Sequence, residues 1–482
     1  ARATRVAPPA SRAPPASRAR AMGLKGDTGG CKAVFQEEFA AAFRGCPRLS
    51  DVRQLVGTPR AETLAVLDGN VMVMQVPQPL STFREYVQIL VSQIAPAIEA
   101  AAHVVVVFDE PQAITRAKAA EQALRDARRK PKTPVCSADL TACPQTDDFD
   151  SATLLAEGCN VRLMQENHRA TRPRLHDALC AAVLAHFVGT TGHGGGWSLT
   201  FDGIDARGAD RPAGERRVAG VISSDADFWA PLLARATPIG EGDLKLTDVT
   251  QRVHDAALVE GSPVEGVVLN LVATIDTDSF LVELAQQAKR AARATERDRN
   301  ELTVVCFRET ARKRKGDDFV TPTRYLCCDM RLFHREIVRY LFGGGQLRPE
   351  LLAATPDAIA LLTAALACCG CDFLEVKGCR ADMMLPVVRD VVRRKPQALE
   401  AMHRIFGASE AAAHEAERAV QIVLDDYAHS LSTKPRFKRA HASASTVCDA
   451  QLLRAVWVAA YWNGREFKDC HRWGFAREAV AA

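Results

Sequence analysis

The sequence predicts an α/β fold with a central, mostly parallel twisted sheet flanked by helices, followed by a mainly helical C-terminal part. Three short apolar runs support the sheet, and each leads into acidic residues: TLAVLDGN (63–70), HVVVVFDE (103–110) and GVVLNLVATIDTD (266–278). Runs this apolar are typical of parallel strands that helices cover on both faces. The segment 81–102 has helical spacing and leads straight into the second run, which predicts a crossover helix.

Composition shifts predict how the rest of the chain is organised. Residues 1–21 repeat APPASRA without apolar periodicity, which predicts a disordered basic extension rich in Pro, Ala and Arg. A single core is expected over 22–380, with a Gly-rich surface insertion around 187–218. Residues 381–482 are expected to form a helical C-terminal part of this core, ending in an aromatic-rich segment.

Net charge, cysteine distribution and the lengths of apolar runs limit the partners and the cellular compartment that the sequence predicts. The formal net charge is +4, so any nucleic-acid surface must be local rather than spread over the whole protein. The 15 cysteines are scattered, and no signal-peptide-like apolar segment precedes them, which predicts a reducing intracellular compartment without distinguishing nucleus from cytoplasm. No apolar run reaches the ~18 residues of a membrane helix, so no membrane partner is expected.

Acidic residues follow the predicted strands at the end where ligands bind in open parallel sheets. Asp68 ends the first apolar run and Asp109 ends the second. Asp276 and Asp278 end the third, where an extended chain would place both side chains on the same side. These four carboxylates are therefore expected to converge at one edge of the sheet.

Two further segments are expected to add carboxylates to this edge. The stretch GEGDLKL (240–246) presents Glu241 and Asp243 from a Gly-rich turn before a predicted helix, and GCDFLE (370–375) offers Asp372. So many carboxylates require a counter-charge, and oxygen ligands favour Mg²⁺, with Mn²⁺ as a substitute. Two such ions suit phosphodiester cleavage. The alternative is that each Asp caps a helix or turn.

A basic helix is predicted soon after Asp109. In residues 115–132, one face carries Lys118, Gln122, Arg125 and Arg129 at helical spacing. Such a face suits a phosphate group, which Arg binds through forked hydrogen bonds. A solvated charged helix is the alternative, and the nearby acids favour the phosphate site.

Taken in order, these motifs resemble the Xrn-type 5′→3′ exoribonucleases, within the flap-endonuclease/PIN-like nuclease superfamily. The resemblance extends from Met22 to about Phe475 and includes MGLKG, LDGN, RAKAAEQALRDARR, ATIDTDSF, GCDFLEVKG and the Trp/Tyr-rich end. Its most specific motif is GEGDLKL, which is similar to the family's Gly-Glu-Gly-Glu-His-Lys-Ile signature. Asp243 replaces a family Glu there and shortens the carboxylate's reach by one methylene.

The resemblance implies a PIN-like core and a Mg²⁺-dependent exoribonuclease acting on single-stranded RNA with a 5′-monophosphate. It implies that seven carboxylates hold the metal ions, namely Asp68, Asp109, Glu241, Asp243, Asp276, Asp278 and Asp372. It also implies that Trp473 stacks on a base, and that the basic face holds the 5′-phosphate through Lys118, Gln122, Arg125 and Arg129.

Two alternatives stay open. A flap-type DNA nuclease would need a helix-hairpin-helix after Asp372, and residues 375–388 lack the second glycine that lets backbone amides approach a phosphate. A non-catalytic nucleic-acid-binding relative would have lost acids, yet all seven acidic positions are filled by Asp or Glu.

Overall fold

In a computed structural model of the protein, the described residues form one eight-stranded sheet with helices on both faces. The structure describes residues 31–74, 83–109, 172–191, 196–203, 220–235, 239, 242–275, 277–293, 301–309, 324–344, 353–369, 379–405, 410–432, 455–456 and 458–460. The predicted α/β class with a mostly parallel sheet is confirmed. The predicted 1–21 extension lies outside the described residues.

The sheet has a parallel centre and antiparallel edges. Its strands are β1 (Phe43–Cys46), β2 (Thr63–Asp68), β3 (His103–Val107), β4 (Ser198–Asp202), β5 (Val221–Ser223), β6 (Leu269–Thr274), β7 (Leu302–Glu309) and β8 (Arg324–Asp329). Their spatial order is β1-β8-β7-β6-β2-β3-β4-β5. The run from β7 to β4 is parallel, whereas β8 and β1 at one edge and β5 at the other are added by antiparallel pairing.

Helices cover the sheet and continue to the end of the described chain. They are α1 (Cys31–Glu38), α2 (Leu49–Val56), α3 (Gly69–Met74), α4 (Phe83–Ala100), α5 (Arg172–Thr191), α6 (Ala226–Leu233), α7 (Gly242–Ala256), α8 (Thr277–Arg293), α9 (Met330–Phe342), α10 (Thr355–Ala367), α11 (Ala381–Arg394), α12 (Pro396–Ile405) and α13 (Glu410–Ser432). The predicted crossover helix is α4. The described elements after β8 are all helical, as expected. Of the described helices, none has the length and apolarity needed to cross a bilayer.

The alternation of side chains along the central strands separates two cores. Leu64 and Val66 of β2 face the core made with α7, α8 and the C-terminal helices. Ala65 and Leu67 face the other core, made with α2, α4 and α5. Because successive side chains of a strand point to opposite faces, Asp68 continues the Leu64 series and lies on the side of α7.

Two sequence predictions are corrected. The range 187–218 was expected to be a surface insertion, but it contains the end of α5 and the buried strand β4; its residues 192–195 and 204–218 lie outside the described part. Asp278 was expected to share an extended strand end with Asp276. Instead β6 ends at Thr274 and Asp278 lies in the first turn of α8, where an acidic side chain interacts favourably with the helix dipole.

Candidate functional site

The strand order creates a switch point between β2 and β6. From β2 the chain continues outward through β3 to β4, whereas from β6 it continues in the opposite direction to β7. In open α/β sheets, ligands bind in the crevice outside the carboxyl ends of the strands at such a point. Asp68 is the last residue of β2, and the chain reaches Asp276 two residues after β6 ends. We call this region, at the carboxyl ends of the parallel strands, the acid edge.

Asp68 and Asp109 meet at the amino end of α7. The Gly242 backbone N–H donates a hydrogen bond to Asp109 Oδ1 at 2.7 Å. A methyl group built on Gly242 Cα would lie 3.2 Å from Asp109 Oδ1, 3.4 Å from Asn70 Nδ2 and 3.9 Å from Asp68 Oδ1. Two strand-end carboxylates, one amide side chain and a helix amino terminus therefore surround one point, and glycine is the residue that leaves this point open.

The sequence alternation explains why these two acids meet. Val105 and Val107 of β3 face the same core as Leu64 and Val66, so Asp109 emerges on the same side of the sheet as Asp68. Asp68 also caps α3, because the Val71 N–H donates to its Oδ1 at 3.1 Å. The capping alternative is thus correct for Asp68, and the cap itself helps to fix the orientation of its carboxylate.

Asp243 and Asp278 begin two neighbouring helices. The Ser279 hydroxyl donates to Asp243 Oδ1, and it lies 3.1 Å from the hydroxyl of Thr274, the last residue of β6. Asp278 is 5% exposed. Burial raises the pKa of the Cys31 thiol, and the charge of Asp278 raises it further. The first turns of α7 and α8 are therefore joined directly beyond β6.

A buried lysine lies beneath the acid edge. Lys245 of α7 is fully buried. Its Nζ would lie 2.4 Å from a methyl group built on Gly203, and the Phe108 carbonyl oxygen would lie 2.5 Å from the same methyl. The Lys245 Nζ atom thus lies beside the backbone that leads into Asp109. The role of Lys245 was not predicted, although it belongs to the GEGDLKL motif.

Another strand-end acid was also missed. Asp202 ends β4 as Asp68 ends β2, but the strand contains the polar residues Ser198 and Thr200, so the sequence lacked the strongly apolar signal of the other parallel strands. Its two carboxylate oxygens face the guanidinium of Arg235, with Oδ1 at 3.1 Å from Nη1 and Oδ2 at 2.8 Å from Nη2. Asp202 is therefore paired inside the protein and is not a candidate metal ligand.

Several predicted site residues fall outside the described part of the chain. They are Glu241, Asp276 and Asp372 among the acids, and Lys118, Gln122, Arg125, Arg129 and Trp473 among the RNA-binding residues. The described ranges by themselves contain no group of three or more His, Cys, Asp or Glu side chains arranged to hold a metal ion. Of the seven predicted ligands, the structure brings Asp68 and Asp109 together. Asp243 lies in the first turn of α7 and is hydrogen-bonded to Ser279 of α8.

The donor chemistry of this edge fits a hard divalent cation. The Asp68 and Asp109 carboxylates present oxygen atoms, and oxygen atoms are the ligands that Mg²⁺ and Mn²⁺ prefer. The three atoms nearest to a methyl group built on Gly242 are two carboxylate oxygens and one amide nitrogen, and none is a cysteine sulfur. The arrangement therefore suits Mg²⁺ better than a thiophilic metal.

Comparison with models of known protein families gives no match for this chain, and comparison with curated proteins gives none either.

Proposed function

We propose that this protein is a metal-dependent 5′→3′ exoribonuclease that degrades single-stranded RNA with a 5′-monophosphate and releases mononucleotides. The observation that supports this most is the meeting of Asp68 and Asp109 with the amino end of α7 beside the switch point of a mostly parallel sheet. The ordered motifs from Met22 to about Phe475 supply the direction and substrate, and the PIN-like form of the α/β fold is part of the proposal.

The acid edge would hold the metal ions. Two Mg²⁺ ions, for which Mn²⁺ may be exchanged, would be held by Asp68, Asp109, Glu241, Asp243, Asp276, Asp278 and Asp372. Bound Mg²⁺ supplies positive charge that activates water and stabilises the leaving oxygen of a phosphodiester.

The chain's own contribution is to fix the carboxylates before substrate arrives. Gly242 N–H holds Asp109, Val71 N–H holds Asp68, and the Ser279 hydroxyl holds Asp243. A site fixed in this way needs little rearrangement when charge develops during the reaction, which is the main source of electrostatic catalysis.

Substrate selection is assigned to the basic face of residues 115–132. Lys118, Gln122, Arg125 and Arg129 would bind the 5′-phosphate and exclude a cap or triphosphate by size. Trp473 would stack on a base, a contact that contributes about 1–3 kcal/mol. The phosphate pocket would then set the first phosphodiester against the acid edge.

The test offers 5′-phosphorylated single-stranded RNA and a 5′-flap DNA in parallel, with Mg²⁺ or Mn²⁺. We expect mononucleotides from the RNA, and we expect Asp276→Ala to abolish their release while circular dichroism stays unchanged. Asp255→Ala is the matched control, because Asp255 is exposed at the far end of α7.

Three other outcomes would contradict the proposal. Preference for the flap would identify a DNA nuclease. Equal RNA degradation by wild type and Asp276→Ala would show that the acid edge is not the catalytic site. No degradation of either substrate by wild type would contradict the nuclease proposal and leave the non-catalytic relative as the remaining alternative.

A further inference from the structure

One buried arginine links the elements that hold Asp109. Arg235 follows α6 and has a side chain that is only 2% exposed. Its guanidinium pairs with Asp202 at the end of β4, and its Nε donates to Asp248 Oδ2 of α7 at 2.6 Å. Burial lowers the pKa of Arg235, but the charges of Asp202 and Asp248 outweigh this effect and raise it above its ordinary value.

These contacts close a ring around Asp109. The carbonyl oxygen of Asp202 accepts a hydrogen bond from the Phe108 N–H at 2.9 Å, so the end of β4 fixes the residue before Asp109. On the other side, α7 carries Asp248 and also provides the Gly242 N–H that binds Asp109. Arg235 is the connection between these two sides.

A second arginine, Arg252, also attaches the end of α6 to α7. Arg252 Nε donates to Asp248 Oδ2 at 2.8 Å, and its Nη1 donates to the carbonyl oxygens of Leu232 and Ala234, both at 3.0 Å. The end of α6 is therefore attached to α7 through Arg235 itself and through the carbonyl groups of Leu232 and Ala234 just before it. Of these charged groups, Arg235 and Asp202 are buried, and buried charges are tolerated only when they are well paired.

We propose that Arg235 is a positioning residue that holds the amino end of α7 in place against Asp109, and thereby sets the geometry of the cation site. The link to the cation site rests on the proposed function. Arg235 acts through Asp202 and Asp248, because its Nε and Nη1 donate to these two carboxylates and its Nη2 lies 2.8 Å from Asp202 Oδ2.

The experiment compares Arg235→Lys and Arg235→Met with Arg290→Met. Arg290 is a matched control because it is also buried and pairs at 3.3 Å with Glu301, which in turn binds His254 in the last turn of α7, so this variant disturbs α7 at the end away from Asp109. Asp202 would be left as an unpaired buried charge in Arg235→Met, so the double variant Asp202→Asn/Arg235→Gln is included. The double variant leaves the net charge unchanged, but a Gln side-chain amide cannot reach both of the partners that the Arg235 guanidinium binds.

Two measurements are made on each variant: hydrogen exchange of the Gly242 amide, and the Kd for Mn²⁺ by electron paramagnetic resonance. We expect exchange to be at least about tenfold faster and Mn²⁺ binding at least about tenfold weaker in the Arg235 variants and the double variant. Arg235→Lys should recover part of the stability but not the Mn²⁺ affinity, because an ammonium group lacks the planar fork. Arg290→Met should change neither measurement, even where it lowers stability equally.

The two levels of inference fail separately. Unchanged Gly242 exchange in the folded Arg235 variants, or the same change in Arg290→Met, overturns the positioning role. If wild type binds no Mn²⁺, the cation site of the proposed function is wrong, while the exchange data still decide whether Arg235 holds α7.

Discussion

Gly203 provides a direct test of how tightly the acid edge is packed. Its φ is +93°, and a methyl group on its Cα would lie 2.4 Å from Lys245 Nζ and 2.5 Å from the Phe108 carbonyl oxygen. The lysine tip is able to move, but Phe108 is held by the hydrogen bond from its N–H to Asp202. A Cβ at positive φ costs about 1–2 kcal/mol, and forced overpacking adds about 1–3 kcal/mol. We therefore expect Gly203→Ala to lower the free energy of unfolding by about 2–5 kcal/mol.

Gly261→Ala is the matched control. Its φ is +77°, and no described atom lies within 4 Å of the added methyl group, so only the conformational cost of about 1–2 kcal/mol applies. Urea denaturation of both variants gives the difference from the midpoints, provided that their slopes agree. Equal losses of stability would refute the close approach of Lys245 and Phe108 to Gly203. They would also contradict the position of Lys245 beside the backbone that leads into Asp109.

Three further predictions follow from individual contacts. Asp109→Asn should weaken Mn²⁺ binding at least about tenfold, because a charged oxygen ligand is lost, whereas Asp255→Asn should not; titration followed by electron paramagnetic resonance measures both. His334 is buried and its pKa is lowered to about 4 by burial, so between about pH 6.5 and pH 4 only the unfolded state gains the proton. The free energy of unfolding should fall by about 3 kcal/mol as pH drops through that window. Urea titrations should show that it depends less on pH in His334→Leu over the same range. Trp229→Phe should cost about 1–3 kcal/mol in the same denaturation assay, because the buried indole N–H donates to Ser198 Oγ at 3.0 Å.

Each of these predictions has an outcome that contradicts it. Equal Mn²⁺ affinity for Asp109→Asn and Asp255→Asn would exclude Asp109 as a ligand. Parallel pH profiles for wild type and His334→Leu would mean that His334 titrates normally. A loss well below 1 kcal/mol for Trp229→Phe would mean that its hydrogen bond to Ser198 contributes little.

Local sequence pattern was sufficient for the elements whose signal is local. The strictly apolar runs around Val66 and Val105 identify buried parallel strands, and their alternation places Asp68 and Asp109 on the same side of the sheet. The helical spacing of 83–100 likewise identifies α4. These features depend only on residues within a few positions of each other.

Features that depend on distant residues were not predicted. Asp202 is bound by Arg235, 33 positions later, and nothing near either residue indicates this pair. The order of β6 beside β2 is set by packing of the whole chain and is not encoded in either strand. Asp278 was assigned to a strand end because the apolar run suggested extended chain, whereas Thr277 begins a helix. In the first turn of a helix the acid is stabilised by the helix dipole, and its position does not follow strand alternation.

The most direct measurement is a crystal structure of the protein soaked in Mn²⁺, with the metal located by its anomalous scattering. We expect two ions within about 4 Å of each other at the acid edge, bound by oxygen atoms of Asp68, Asp109 and their predicted partners. Such a result would also show whether Asp243, one methylene shorter than Glu, still reaches an ion. A structure at high Mn²⁺ concentration with no ion bound by Asp68 or Asp109 would contradict the two-metal nuclease assignment.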